Sequence, residues 1–222
     1  MIKIKLKIIN FIKFFIKFYL LRDEFTISVV KWKKDLGEKN LRLNYPLTKD
    51  SIVFDLGGYQ GDFAYEISKR YDPFIYIFEP QTQYYEYLLK RFHNNLKIKV
   101  FNYGLYNKND VSFLSSEQNA SSIFKNRMSG IKINLQEFKS QFNIFNLNQI
   151  DLCKINVEGA EYPILLHLLE FDLIKKIKYL QVQFHNFYPK AVNLRKTIRE
   201  ELRKTHTEQY NYPFVWESWS LK

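Results

Sequence analysis

The chain is almost without cysteine. Its one thiol, Cys153, has no partner for an internal disulfide and sits in the apolar run IDLCKI, where a small core residue is wanted rather than a nucleophile; a reducing, cytoplasmic setting fits this usage. One cysteine and four histidines, none at zinc-ligand spacing, give no Cys/His metal motif. The seven glycines and six prolines form no Gly-, Pro- or Ser-rich tract, which argues against a flexible linker or a disordered arm. No run of about 20 apolar residues is free of charge, so no segment reads as a helix spanning a bilayer.

What is present describes one globular domain. A length of 222 residues with 46% hydrophobic and 26% charged content suffices for one sizeable core. Aromatic content is 18%, but Phe, Tyr, Ile, Asn and Lys rise together, which a compositionally biased genome produces as readily as function does. The net charge of +11 suggests nucleic acid until its distribution is read. Residues 1–22 hold six basic and no acidic side chains, leaving 28 basic against 23 acidic in the remainder, so more than half of the excess is local. Nucleic acid is therefore not the expected partner.

That opening, MIKIKLKIINFIKFFIKFYLLR, reads as a basic amphipathic helix over 1–22 preceding a domain over 23–222. At helical spacing Lys3, Lys7, Asn10, Lys13 and Lys17 share one stripe, with Ile4, Ile8, Phe11, Ile12, Phe15, Phe18 and Tyr19 opposite. Such a helix lies peripherally on a membrane with its lysines near anionic head groups, or it covers its own domain or a second copy. Lysines interrupt any signal-peptide core, and no small-residue cleavage site follows.

The stretch SIVFDLGGYQGDFA at 51–64 reads as a buried strand ending at Asp55, a turn through Gly57, Gly58 and Gly61, and a helix over FAYEISKRY. That order aims the free N–H groups of a helix start at whatever binds over the strand's end. A dinucleotide fingerprint fails because Tyr59 stands where the second glycine belongs, and no Gly-Lys-Ser/Thr makes a P-loop. D-x-G-x-x-x-G after a strand instead resembles the first motif of S-adenosylmethionine-dependent methyltransferases.

The next strand, FIYIFEP at 74–80, ends on Glu79, one strand–helix–strand unit later, where a carboxylate suits both hydroxyls of a ribose or the start of the helix near Pro80. A third strand, KIKVFNYGL at 97–105, follows the helix TQYYEYLLKRF and brings Asn102 and Gly104 to its end, where backbone and amide groups suit an adenine ring. A later apolar strand, IDLCKI, runs into Asn156, Glu158, Gly159 and Glu161, with a helix expected to restart at Pro163. Ligands of open parallel sheets bind beyond the carboxyl ends of the strands, where all of these groups gather.

In order along the chain, DLGGYQGD, IFEP, NYGL, NASS at 119–122, KINVEGAE and QVQFHNF resemble the FkbM-type methyltransferase family, over residues 50–185 and on to VWESW near the end. The resemblance implies an α/β fold: a doubly wound, mostly parallel, seven-stranded Rossmann-like sheet with one reversed edge strand. It implies S-adenosyl-L-methionine as cofactor and a hydroxyl of a sugar or small molecule as acceptor; a role in building bacterial capsule or lipopolysaccharide is an extrapolation from that acceptor class. Carried over by motif, Asp55 and the glycines of its turn surround the methionine moiety, Glu79 holds the ribose, and the NASS segment with Ser121 closes over the cofactor. The family pattern commonly reads K-I-D-V-E-G-A-E, whereas this chain has Asn156 in place of the first Asp. An amide is no carboxylate base and a poorer ligand for a hard cation; no metal is expected.

Methyl transfer from a sulfonium is an in-line displacement, so alignment in a closed site does most of the work, with a base to take the acceptor's proton. His185, after the strand KYLQVQF, is the first candidate base, and a residue capping a local turn is the alternative. Glu158 is expected to orient it or to meet cofactor or sugar, Asn156 to line the same floor, and Glu161 to serve the following helix start. His93, His167 and His206 lie in helix-like stretches and read as surface or packing residues. An RNA methyltransferase, motivated by the charge, and a non-catalytic binding module, motivated by Asn156, are the competing readings; no N-P-P-Y-like motif supports the former.

Overall fold

The structure is a computed structural model that describes residue 13 and residues 15–114 and 130–222. Strand β1 (Ile52–Leu56) leads through the glycine turn into α2 (Asp62–Tyr71), the helix α1 (Glu24–Lys34) having come before it. β2 (Phe74–Phe78), α3 (Thr82–Phe92) and β3 (Ile98–Phe101) complete the first half. A small unit follows, β4 (Gly104–Tyr106), β5 (Asp110–Leu114) and β6 (Ile131–Glu137), then α4 (Phe138–Ile144). The second half runs β7 (Ile150–Ile155), α5 (Glu161–Glu170), β8 (Ile177–Val182), α6 (Ala191–Thr205), β9 (His206–Tyr212) and β10 (Trp216–Leu221).

Seven strands form one sheet in the order β3-β2-β1-β7-β8-β10-β9, and β4-β6-β5 form a second. The chain reverses spatial direction between β1 and β7, which makes their carboxyl ends the switch point where ligands of such sheets bind. The seven-stranded, mostly parallel α/β architecture matches the expectation, with one change. The reversed strand is β10, and it lies inside the sheet, antiparallel to both β8 and β9. The tight β9–β10 hairpin inserts its second strand between its first and β8, leaving β9 as the edge.

The expected single strand over 97–105 is two strands in different sheets: β3 pairs with β2, and β4 pairs with β6. The bend at Asn102 and Tyr103 separates them. The helix expected from Pro163 begins at Glu161, with Pro163 inside the first turn, where backbone N–H groups have no intrahelical acceptor to lose. His206 opens β9 rather than lying in a helix, buried, with Nε2 2.9 Å from the Ile177 carbonyl.

Alternation along the strands builds two cores. Val53, Ile75, Ile77 and Leu152 face α2, α3 and the 43–47 segment. Phe54, Phe78, Cys153, Ile155 and Leu180 face α4, α5 and α6. Burial pushes the Cys153 thiol well above its ordinary range, consistent with a packing role. Trp32 on α1 packs with Val215 and Trp216, tying the N-terminal helix to the far end of the sheet. The expected amphipathic helix lies largely outside the described residues. Its last part, Ile16–Leu20, is a single π-helical turn with no buried residue.

Candidate active site

The glycine turn after β1 is shaped by what lies directly behind it. Gly57 adopts φ +77°, and a Cβ there would stand 2.1 Å from the Asn156 carbonyl oxygen, so the turns after β1 and β7 approach as closely as backbone allows. Gly61 has φ +81° and caps α2 with its backbone packed on Leu88 and Phe92. Gly58 packs on Ile77. Glu79, buried at the end of β2, accepts from Tyr59 N at 2.8 Å and from Gln81 N at 2.9 Å. Burial raises its pKa and those two amides oppose the rise, while each oxygen keeps a lone pair for a further donor. Asn102 braces the same corner, its amide nitrogen donating to the carbonyls of Glu79 and Pro80, each at 3.3 Å. Gly104 lies in β4 against Leu135 and Pro80.

Under this turn sits a charge pair. Lys154 Nζ donates to Asp55 Oδ1 at 2.8 Å, to Gly57 O at 2.8 Å and to Leu56 O at 3.2 Å, which uses all three ammonium donors. Burial lowers the Lys154 pKa, opposed by the Asp55 charge and hydrogen bond. Asp55 and Lys154 are register partners, each the penultimate residue of its strand. Gln181 and Ser218 continue the row across the sheet, with Gln181 Nε2 donating to the Tyr45 hydroxyl at 2.8 Å. Two buried acceptors at this edge have no hydrogen-bond partner among the described residues: Asp55 Oδ2 and Asn156 Oδ1.

The turn after β7 carries the second charge cluster. Glu158 takes φ +51° and Gly159 φ +104°, bending the chain so that two carboxylates face one imidazole. Glu161, fully buried, accepts from Gly159 N at 2.8 Å through Oε2, and Oε1 accepts from His185 N at 2.8 Å and lies 3.1 Å from His185 Nδ1. Glu158 Oε2 lies 3.5 Å from His185 Nε2, and its side chain is 34% exposed. The Tyr162 hydroxyl donates to the His185 carbonyl at 2.9 Å. Burial disfavours the charged ring, but hydrogen bonds and charge from Glu158 and Glu161 outweigh it and push the His185 pKa up to about 9. His185 is therefore an imidazolium near neutral pH in this state. Among the described residues no group of three His, Cys, Asp or Glu side chains is arranged to hold a metal ion.

The sequence model of the methyltransferase FkbM domain matches residues 55–214, from the first signature to the β9–β10 hairpin. The chain belongs to the FkbM methyltransferase family. An FkbM methyltransferase from Methylobacillus flagellatus superposes with a TM-score of 0.54 at 11% identity, over 80% of this chain and 45% of that one. The chain thus spans less than half of that relative. A putative methyltransferase from Streptococcus mutans, solved with S-adenosylhomocysteine, gives 0.50 at 12% identity over 84% of this chain and 97% of that one. Fibrillarin from Methanococcus jannaschii, a pre-rRNA processing protein, gives 0.50 at 12% identity over 80% and 69%. At these identities the likeness is one of fold. A search of curated proteins gives no match.

In this FkbM domain the structure gathers Asp55, Gly57, Gly58, Asn156, Glu158 and His185 at the carboxyl edge, with Glu79 beside the glycine turn. Ser121 and its NASS segment lie outside the described residues. Sequence reading missed Lys154, although its place one residue before the strand's end mirrors Asp55. Glu161 stands in the first turn of α5, and its side chain also turns back to hold Gly159 and His185, which local sequence rules did not indicate. The spacing Glu158 to Glu161 was the available signal: three residues across a tight turn bring both carboxylates to one partner.

Proposed function

We propose that this FkbM domain uses S-adenosyl-L-methionine to methylate a hydroxyl of a sugar or small molecule, in the building of a bacterial surface polysaccharide such as capsule or lipopolysaccharide. The observation that carries the hydroxyl acceptor is the imidazole of His185, backed by a buried carboxylate at the sheet edge beside the glycine turn, an arrangement suited to taking a proton from an alcohol. The cofactor fits the groups present. Asp55 Oδ2 and Asn156 Oδ1 offer buried acceptors to an ammonium, Glu79 has lone pairs for ribose hydroxyls, and the start of α2 supplies N–H groups. When bound, the cofactor supplies an electrophilic methyl group. The protein's work is to hold the acceptor oxygen in line, exclude water and take its proton.

Incubation with methyl-labelled cofactor and a panel of nucleotide sugars and lipid-linked sugars should place label on a hydroxyl. Label found only on RNA or protein would overturn this reading, and calorimetry showing no cofactor binding would favour a non-catalytic module.

The acceptor's attachment to a membrane belongs to the same proposal. Phe15, Tyr19, Leu20 and Leu21 are exposed beside Lys13, Lys17 and Arg22, as an anionic bilayer surface favours. The full chain should sediment with anionic liposomes and a form lacking residues 1–22 should not; equal pelleting of the two would remove the membrane contact.

A further inference from the structure

The two carboxylates around His185 are held very differently. Glu161 is fixed by three contacts, Gly159 N, His185 N and His185 Nδ1, and has no exposed surface. A carboxylate without a proton only accepts, so the nitrogen facing it, Nδ1, carries hydrogen, and the lone pair of the neutral ring lies on Nε2. This is the tautomer a base needs when a buried acid orients it from behind. Glu158 faces Nε2 at 3.5 Å, a long contact, from a one-third exposed side chain on a left-handed backbone residue. It stands where a proton-donating hydroxyl would have to stand.

We propose that Glu161 is the positioning residue of a Glu161–His185 pair whose Nε2 takes the acceptor's proton, and that Glu158 occupies the acceptor's place at Nε2 until the acceptor displaces it. This rests on the hydroxyl-methylation reading. As Glu158 leaves, the ring loses part of the charge that held its extra proton, the Nε2 proton passes to solvent water, and the ring becomes neutral with Nδ1 still facing Glu161. The acceptor O–H bond then breaks, an N–H bond forms at Nε2, and the freed oxygen pair forms the new O–C bond while the sulfonium's C–S pair stays on sulfur.

The titratable groups packed around the ring are few. Glu158 and Glu161 come from the β7–α5 turn, and Tyr162 from α5 reaches the His185 carbonyl. Tyr188 stacks on Tyr162 at 4.6 Å, and Arg195 of α6 is paired with Glu217.

Two experiments test the roles. Nitrogen-15 NMR of the His185 ring in the full chain without ligands should show hydrogen on Nδ1 once the ring is neutral. That preference should survive in Glu158→Gln and disappear in Glu161→Gln, while Glu158→Gln lowers the titration midpoint by about a unit or more. Hydrogen on Nε2 in the neutral wild-type ring would overturn the proposal, and this measurement stands whether or not an acceptor is found. With the acceptor from the labelled-methyl screen, Glu161→Gln should lower kcat about 100-fold with acceptor KM little changed, and Glu161→Asp should restore part of it. Glu158→Gln should keep turnover and move the limb of the kcat profile to lower pH. No turnover at any pH in a Glu158→Gln protein that still binds cofactor and acceptor would make Glu158 the proton acceptor instead. Failure to label any hydroxyl would sink the function while leaving the tautomer result intact.

Discussion

Two charge clusters sit at the same edge of the sheet, one turn apart, and they are built to opposite specifications. The Asp55–Lys154 pair is sealed: both side chains are buried, and the ammonium spends every donor on β1 and its turn. The Glu158–His185–Glu161 cluster is sealed on the Glu161 side and open on the Glu158 side. Such a pair fixes geometry, because breaking it leaves a buried charge uncompensated, while Asp55 Oδ2 alone is left over for a further donor. An open cluster keeps one contact weak enough for a ligand to replace. On the proposed function, this edge combines a scaffold charge, which braces the glycine turn, with a working charge, which would meet the acceptor.

Breaking the sealed pair is the severest test of that contrast. Lys154→Met leaves Asp55 buried without its cation and frees the carbonyls of Leu56 and Gly57. A loss of about 3–5 kcal/mol is expected by urea unfolding. A loss below about 1 kcal/mol would show that water or rearrangement replaces the lysine and that the pair is not closed.

The second test compares the two carboxylates of the open cluster. Glu161→Gln turns one of two oxygens that together serve three nitrogens in a fully buried site into a donor and removes the charge, and about 2–3 kcal/mol should be lost. Glu158→Gln, at a partly exposed position with one long contact, should cost less than about 1 kcal/mol. Equal losses from the two substitutions would mean that the cluster has no open side.

Much of this edge was legible in the sequence, and the residues that were not share a physical reason. Strand and helix periods located β1, α2, α3 and β7, because binary patterning records which face each element buries. The position of β10 was not recorded there: a hairpin's sequence fixes its antiparallel pairing but not which of its strands joins the sheet. Lys154 escaped notice because a lysine in an apolar run reads as an interruption until its neighbour across the sheet is known. Glu161 was read from local rules for helix starts, which describe what surrounds a residue in the chain and not which way its side chain turns. Asn156 was singled out for lacking a charge, yet its backbone carbonyl matters as much as its amide, since it is the atom that requires glycine at position 57.

The mildest test follows from the sign of the His185 shift. Its folded pKa, about 9, lies above the ordinary value near 6.5, so the charged ring stabilises the fold. That contribution is fully present below about pH 6.5 and is lost as pH rises through about 9, because only the folded chain keeps the extra proton in that window. Urea midpoints measured at pH 6, 8 and 10 on wild type and His185→Asn should diverge below pH 8 and converge at pH 10, by about 1–2 kcal/mol. Glu158→Gln should shrink that divergence, since one of the two carboxylates that support the charged ring is gone, whereas Lys154→Met should leave it intact. If the wild-type and His185→Asn curves run parallel across the range, the carboxylates do not hold an extra proton on the ring in the resting fold. Glu158 would then be a neighbour of His185 and not a stand-in for the acceptor, and the difference between the sealed and the open cluster would reduce to exposure alone.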